Sequence, residues 1–206
     1  YGFCYYHYWF NGKRLMDRPV KEILASGQPD FPFMLCWANE NWSRNWDGKF
    51  RNILIEQHYS EEDDIEHMRY LCSKVFQDTR YIRIDGKPVF AIYRSNFFPN
   101  MKHTIDVWRK VAKEEYGIEL YLIRVENEPD FGPKYLDCGF DSAMDFQPLL
   151  MGEFNAWWKN LPFRIMNHLF KGKYQWFNKH FSYASYVKYR IKKPLADYKC
   201  FPCVSP

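Results

Sequence analysis

No stretch of this chain is apolar for the roughly 18 residues that a membrane-spanning helix needs. Neither GxGxxG nor GxxxxGK[ST] follows an apolar run, so the glycine-rich phosphate cradles of dinucleotide and P-loop sites are missing. No Asp-x-Asp occurs either, the pair that holds a metal in many nucleotide-sugar transferases. Cys200-Phe201-Pro202-Cys203 has CxxC spacing but neither a second pair nor a nearby His, so no metal and no cofactor is expected. The remaining cysteines (4, 36, 72, 138) sit mostly in apolar runs, as reduced buried thiols do. A chain of 206 residues can bury a sizeable core without disulfide staples. The expected compartment is therefore reducing and cytoplasmic. An initiator Met and a basic leader are also lacking. Tyr1-Gly2-Phe3-Cys4 and Cys203-Val204-Ser205-Pro206 both read as interrupted strands, and the expectation is a fragment of a longer protein.

Aromatic residues are abundant at 20%, with 8 Trp and 16 Tyr. Burial accounts for Phe, but so many polar-tipped rings suit a surface that is apolar on one side and wet on the other. The CH face of a sugar, a nucleobase and a lipid headgroup region are the natural partners. Charge is uneven: residues 1–149 hold 19 basic and 23 acidic side chains, whereas residues 150–193 hold nine basic ones against the single Glu153.

Short apolar runs alternate with amphipathic stretches, the pattern of βα units on a parallel sheet. Strands are predicted at Gly2–Trp9, Phe31–Trp37, Asn52–Glu56, Pro88–Tyr93, Glu119–Val125, Asp141–Phe146 and Tyr198–Val204. Helices are predicted from Pro19 to Ser26, started by Asp17 and stopped by Gly27, from Ser60 to about Phe76, and over Thr104–Tyr116. Glu61, Glu62, Asp63 and Asp64 sit in a first turn, where the helix dipole favours anions, and read as capping charges. Ala38 to Lys49 reads as a polar loop. The rhythm breaks between about 149 and 193, which reads as a basic, aromatic helical insertion within one domain spanning 1–206.

Parallel α/β folds build their sites at the carboxyl ends of the strands. Here those ends carry His7 and Trp9; Trp37, Asn39, Glu40, Trp42, Arg44, Trp46 and Asp47; Glu56 and Tyr59; Tyr93 and Arg94; Glu126; and Asp145 and Gln147. Planar polar groups suit paired hydroxyls, rings suit sugar faces, and paired carboxylates serve glycosidic acid–base chemistry. Glu40 and Glu56 are the first catalytic candidates, and the other residues are candidate substrate ligands. Competing structural readings stay open: a salt-bridged strand-end carboxylate, a hydrogen-bonded rim histidine at His7, a packed loop for Trp37, Trp42 and Trp46. Ring-rich, acid-bearing segments are expected to converge on a common hollow, and a scatter of Glu40, Glu56, Tyr93 and Asp145 over unrelated faces would remove the saccharide reading.

The stretches YGFCYYHYWFNGKRL (1–15), PDFPFMLCWANENWSRNWDG (29–48), ILIEQHYSEEDDIEHMRYL (53–71) and YIRIDGKPVFAIYR (81–94) resemble the WbsX-type glycosyltransferases, also called glycoside hydrolase family 99-like proteins. The resemblance covers nearly the whole chain. It implies a (β/α)8 TIM-type barrel, incomplete in this chain, and a role in bacterial surface-polysaccharide (O-antigen, lipopolysaccharide) metabolism. The hydrolase relatives, endo-acting α-mannosidases, are retaining enzymes that employ the substrate's own 2-hydroxyl. Ile55-Glu56-Gln57-His58-Tyr59 resembles a Glu-Pro-Tyr element lining their sugar site, with a departure at Gln57-His58. The resemblance also implies that the main catalytic glutamate pair lies beyond Pro206, on the last barrel strand. The expected partner is an oligo- or polysaccharide, with a lipid-linked saccharide as one form.

Two other classes compete. One is a non-catalytic saccharide-binding module. The other uses the basic segment, with Lys188, Arg190, Lys192 and Lys193, to meet anionic headgroups or RNA, although no nucleic-acid motif is present and the remaining body is net negative.

Overall fold

Five consecutive buried residues, Phe33-Met34-Leu35-Cys36-Trp37, mark a strand covered on both faces, as central parallel strands are. In the computed structural model, which describes residues 2–44, 49–126, 132–147, 165 and 182–203, this strand anchors a largely parallel sheet. Strand β1 (Phe3–Phe10) pairs in parallel with β3 (Phe33–Trp37), β3 with β7 (Lys87–Ile92), and β7 with β8 (Tyr121–Glu126). Strand β8 then pairs with β9 (Ser142–Asp145), and β9 with β10 (Cys200–Pro202). Each parallel strand thus lies beside its chain predecessor. Short antiparallel strands β2 (Lys13–Leu15) and β6 (Arg83–Ile84) flank β1 and β7. Among the described residues the sheet does not close: β1 and β10 each have one parallel neighbour. The expectation is a barrel incomplete in this chain; these residues form an open, largely parallel sheet with its parallel strands in chain order.

The expected Ala38–Lys49 loop holds a strand. β4 (Trp42–Arg44) pairs antiparallel with β5 (Lys49–Ile55), in a two-stranded sheet apart from the main one. The predicted third strand thus belongs to a hairpin and not to a βα unit. Its Ile53 and Leu54 are 50% and 53% exposed, so no second layer covers it on both faces.

Helices α1 (Arg18–Ser26), α2 (Glu61–Tyr70) and α3 (Met101–Tyr116) follow β2, β5 and β7. Ser60 caps α2 by accepting a hydrogen bond from the Asp63 backbone N–H, and the helix runs on through a π-helical turn, Leu71–Val75. Asn100 caps α3, which begins at Met101, three residues before the predicted start, and Gly117 ends it at φ 67°, a left-handed conformation that costs glycine least. Met101, Ile105, Trp108 and Ala112 repeat every three or four residues on α3 and are buried. Trp108 meets Trp37 and Phe90 at ring-centroid distances of 5.9 Å each. Burying each such ring contributes about 2–3 kcal/mol. The Asp85-Gly86 turn joining β6 to β7 has φ 51° and 77°, as a two-residue hairpin turn requires.

The chain divides into two units, Tyr1–Phe146 with Tyr198–Cys203, and Gln147–Asp197 with Val204–Pro206. Within the second, α4 (Tyr183–Lys192) is capped by Ser182 and ends in basic residues, which suit the negative end of the helix dipole. Its Tyr186 donates a hydrogen bond to Gln147 Oε1 (2.9 Å). Most of the predicted 149–193 insertion lies outside the described residues.

Asp64 of α2 is buried against α3, where it accepts a hydrogen bond from Thr104 Oγ1 (2.9 Å). Burial outweighs that bond and pushes its carboxyl up to about 6, from an ordinary 3.8. The folded protein therefore keeps a proton that the unfolded chain releases near pH 3.8. Ionisation penalises the fold at neutral pH, and the penalty lifts as pH falls through 6 toward 4. Asp64→Asn is expected to raise stability by about 1–3 kcal/mol at pH 7.5, an advantage that shrinks to nothing by pH 4 in urea unfolding curves. A pH-independent difference would contradict this assignment.

Candidate functional site

Alternation along β1 sends Tyr6 and Tyr8 to one face of the sheet, and His7 and Trp9 to the face that carries α2. The parallel register aligns Tyr6 with Cys36 and Cys36 with Ala91. Two residues further along, Tyr8, Ala38 and Tyr93 lie side by side at the carboxyl ends of their strands. The β4–β5 hairpin folds over this row. Trp42 stands edge-on to Tyr8 (5.3 Å) and Phe10 (5.8 Å), and Tyr93 stands edge-on to Tyr6 (6.3 Å) and Phe146 (5.7 Å). The result is a cavity of about 570 Å³ lined by Tyr6, Tyr8, Glu40, Asn41, Trp42 and Tyr93, with Ala38, Ser43 and Leu54 filling the gaps. That size suits a small ligand.

Glu40 is the one carboxylate among the described lining residues. Arg94 Nε donates to its Oε1 at 2.6 Å, and the two side chains are 23% and 39% exposed for Arg94 and Glu40. The Arg94 guanidinium also lies over the Tyr93 ring (5.0 Å). Asn41, which also lines the cavity, accepts through Oδ1 from the Gln57 backbone N–H (2.7 Å), and its amide nitrogen is a donor. Burial pushes the Tyr6 phenol up to about 12 and raises that of Tyr93, so both stay neutral hydroxyls at physiological pH. The cavity thus offers rings, hydroxyl and amide donors and one oriented carboxylate acceptor.

The remaining candidates lie elsewhere. His7 is 3% exposed, and its Nε2 lies 3.0 Å from His67 Nε2 on α2, one ring donating and the other accepting. Burial drives His7 down to about 3 and His67 well below the histidine range, so both are neutral. Trp9 stacks on His67 (4.5 Å) and donates to Asp63 Oδ1 (2.9 Å), while Trp37 donates to the Trp9 carbonyl (3.2 Å) inside the core. These three side chains pack the helix side of the sheet. Asn39 and Tyr59 are hydrogen-bonded to each other and do not line the cavity. Glu56 does not line the cavity; it is 59% exposed and 3.6 Å from His58 Nε2.

Glu126, in register with Asp145, is 3% exposed on the same face as Ile92, opposite Tyr93. Its Oε1 accepts from Arg124 Nη2 (2.7 Å), the Gly132 N–H (3.1 Å) and the Tyr198 hydroxyl (2.6 Å). Of the four residues expected to converge, Glu40 and Tyr93 share this cavity, while Glu56 and Asp145 do not line it. Gln147 belongs to the second unit. Trp46, Asp47 and the Arg44 side chain lie outside the described residues. Among those residues no group of three or more His, Cys, Asp or Glu is placed to hold a metal.

Tyr6, Tyr8, Asn41, Ser43 and Leu54 escaped the sequence reading. A signal for two of them was present: Tyr6 and Tyr8 share a parity along β1, whereas His7 and Trp9 share the other.

The description "Glycosyltransferase WbsX" matches this chain over residues 1–206. The chain belongs to the WbsX glycosyltransferase family. Proteins described as "Uncharacterized protein WxcX" from two strains of Xanthomonas campestris pv. campestris are 30% identical over 204 residues, which is 99% of this chain and 28% of each relative. The chain therefore spans little more than a quarter of those relatives. A solved structure described as "Glycoside hydrolase-like protein" is similar at 14% identity and a TM-score of 0.46, over 92% of this chain and 52% of that one. Among the described residues no helix is long and apolar enough to cross a membrane.

Proposed function

We propose that the cavity lined by Tyr6, Tyr8, Trp42, Tyr93 and Glu40 holds a saccharide, and that the whole protein makes or breaks a glycosidic bond in bacterial surface-polysaccharide metabolism. The observation that carries this reading is the wall of rings closed around one arginine-oriented carboxylate at the carboxyl ends of parallel strands. Rings take the apolar faces of a sugar, and Glu40 and Asn41 take its hydroxyls. The chain order of the strands supports completion of a (β/α)8 barrel in the longer protein, related to glycoside hydrolase family 99.

Glycosidic cleavage typically employs two carboxyl groups, about 5–5.5 Å apart in retaining enzymes and ~6.5–9.5 Å in inverting ones. With one carboxylate among the described lining residues, this cavity by itself is a binding subsite, and turnover belongs to the whole protein. Glu40 is the candidate to act on the saccharide there, and a retaining, mannosidase-like outcome is the favoured stereochemistry. Six free thiols support a reducing, cytoplasmic setting. The exposed Tyr183, Ile191 and Leu195, with Lys188 and Lys192 nearby in sequence, support contact with anionic headgroups near a lipid-linked saccharide.

Having one carboxylate among the described lining residues equally favours a second reading, a non-catalytic saccharide-binding module. Titration calorimetry of the full-length protein with mannose- or rhamnose-containing oligosaccharides, beside turnover assays on the same material, separates the two. The enzyme reading expects binding and a new reducing end or transferred product. Binding alone supports the module, and neither binding nor turnover removes the saccharide reading.

A further inference from the structure

We propose that Asn39 and Tyr59 are positioning residues, which hold Glu40 in the cavity without touching its occupant; this rests on the saccharide reading of that cavity. Asn39 is fully buried at 0% exposure, and its side chain behaves as an extra peptide group. Strands β3 and β7 are still bonded where the Tyr93 N–H donates to the Trp37 carbonyl (3.1 Å). One step on, Asn39 Oδ1 accepts from the Arg94 N–H (2.8 Å), and Asn39 Nδ2 donates to the Arg94 carbonyl (2.8 Å). The side chain thereby carries the ladder past the point where the strands diverge.

Tyr59 secures the amide from the other side. Its hydroxyl donates to the Asn39 carbonyl (2.8 Å) and accepts from Asn39 Nδ2 (3.1 Å). Its ring is wedged against Phe98 (4.4 Å) and Trp37 (6.2 Å), so the clasp is rooted in the core. What the clasp fixes is the backbone of Arg94, whose Nε–H meets Glu40 at 2.6 Å. Neither Asn39 nor Tyr59 lines the cavity, yet Asn39 lies one hydrogen bond, and Tyr59 two, from the residue that orients its carboxylate.

The amide is chemically specific. An aspartate at position 39 could accept from the Arg94 N–H, but would face the Arg94 carbonyl with no donor and an added charge. A phenylalanine at position 59 would keep the wedge and lose the hydroxyl.

The test uses the full-length protein as wild type, Asn39→Asp, Tyr59→Phe, Glu40→Gln and the Asn39→Asp/Glu40→Gln double variant. Two readouts are taken: the NMR signal of the Arg94 Nε–H, assigned by its loss in Arg94→Lys, and affinity for the oligosaccharide pool by titration calorimetry. The Arg94 signal is expected to move toward that of an exposed arginine in Asn39→Asp, and part of the way in Tyr59→Phe. Saccharide affinity is expected to fall about tenfold or more in Asn39→Asp, since small misplacements of a binding group are costly. Glu40→Gln should add little to that loss, because the carboxylate has already been released. An unmoved Arg94 signal in both single variants overturns the positioning role, as does a full additive loss in the double variant. Should the wild type bind no saccharide, the functional reading falls, and the Arg94 signal alone still decides whether Asn39 and Tyr59 position Glu40.

Discussion

Trp42→Ala is expected to weaken saccharide binding by about thirtyfold or more, the equivalent of roughly 2 kcal/mol, because an aromatic anchor that a ligand covers is the kind of contact that dominates such sites. Trp42 supplies one wall of the cavity and leans edge-on against Tyr8 and Phe10. It belongs to a hairpin outside the main sheet, so its loss opens the cavity without hollowing the core. Glu40→Gln separates binding from chemistry. Glutamine keeps the shape and can still accept from Arg94, but it cannot exchange a proton or carry negative charge. If Glu40 acts on the bond, turnover should drop by about 10²–10⁴-fold while affinity changes far less. If it is a ligand only, affinity and turnover should fall together. Steady-state kinetics with calorimetry on both variants check this, and wild-type behaviour in both removes these two residues from the site.

The second large effect concerns stability. Arg124 and Glu126 form a fully buried pair, 0% and 4% exposed, at 2.7 Å. Arg124→Leu strands the Glu126 carboxylate in a dry setting, a change that typically costs about 3–5 kcal/mol. For a protein of this size the melting temperature should fall by about 10 °C. The Arg124→Leu/Glu126→Gln double variant should recover much of the loss, since the uncompensated charge is gone while the Tyr198 hydroxyl and the Gly132 N–H keep an acceptor. Thermal unfolding of the three proteins measures this. A double variant no more stable than Arg124→Leu would show that packing, and not the stranded charge, sets the cost. Neither change should reach the Trp42 cavity, so saccharide affinity at a temperature where all variants are folded is expected to stay within a few-fold of wild type.

Much of the fold was legible because it is written locally. The cap at Ser60, the end of the third helix at Tyr116, the Asp85-Gly86 turn and the all-buried run at Phe33–Trp37 each follow from one or two residues, whereas the Asn100 cap was missed. The hairpin was not legible. Trp42–Arg44 is three residues long and pairs with Lys49–Ile55 through an irregular register, which leaves no alternation to read in so polar a stretch.

The site shows the same division. Strand ends pointed to the rim where the cavity lies, and Glu40, Trp42 and Tyr93 line it. Which face each side chain takes was ambiguous along β1, because both parities of Tyr5-Tyr6-His7-Tyr8-Trp9 are aromatic and either could be buried. Only the packing of α2, with His67 against His7 and Trp9, decides it. Glu126 and Asp145 carry the right chemistry at the right depth, but the register places them opposite Tyr93. Charge at a strand end marks depth along the sheet and says nothing of side.

A crystal structure of the full-length protein, soaked with an oligosaccharide that it binds, tests the central claim most directly. The expected result is a sugar ring with its apolar face within about 4.5 Å of Trp42 or Tyr8 and a hydroxyl donating to Glu40. A saccharide seated instead against Glu126 and Asp145, or anywhere that leaves the Tyr6–Tyr8–Trp42–Tyr93 cavity empty, would contradict it.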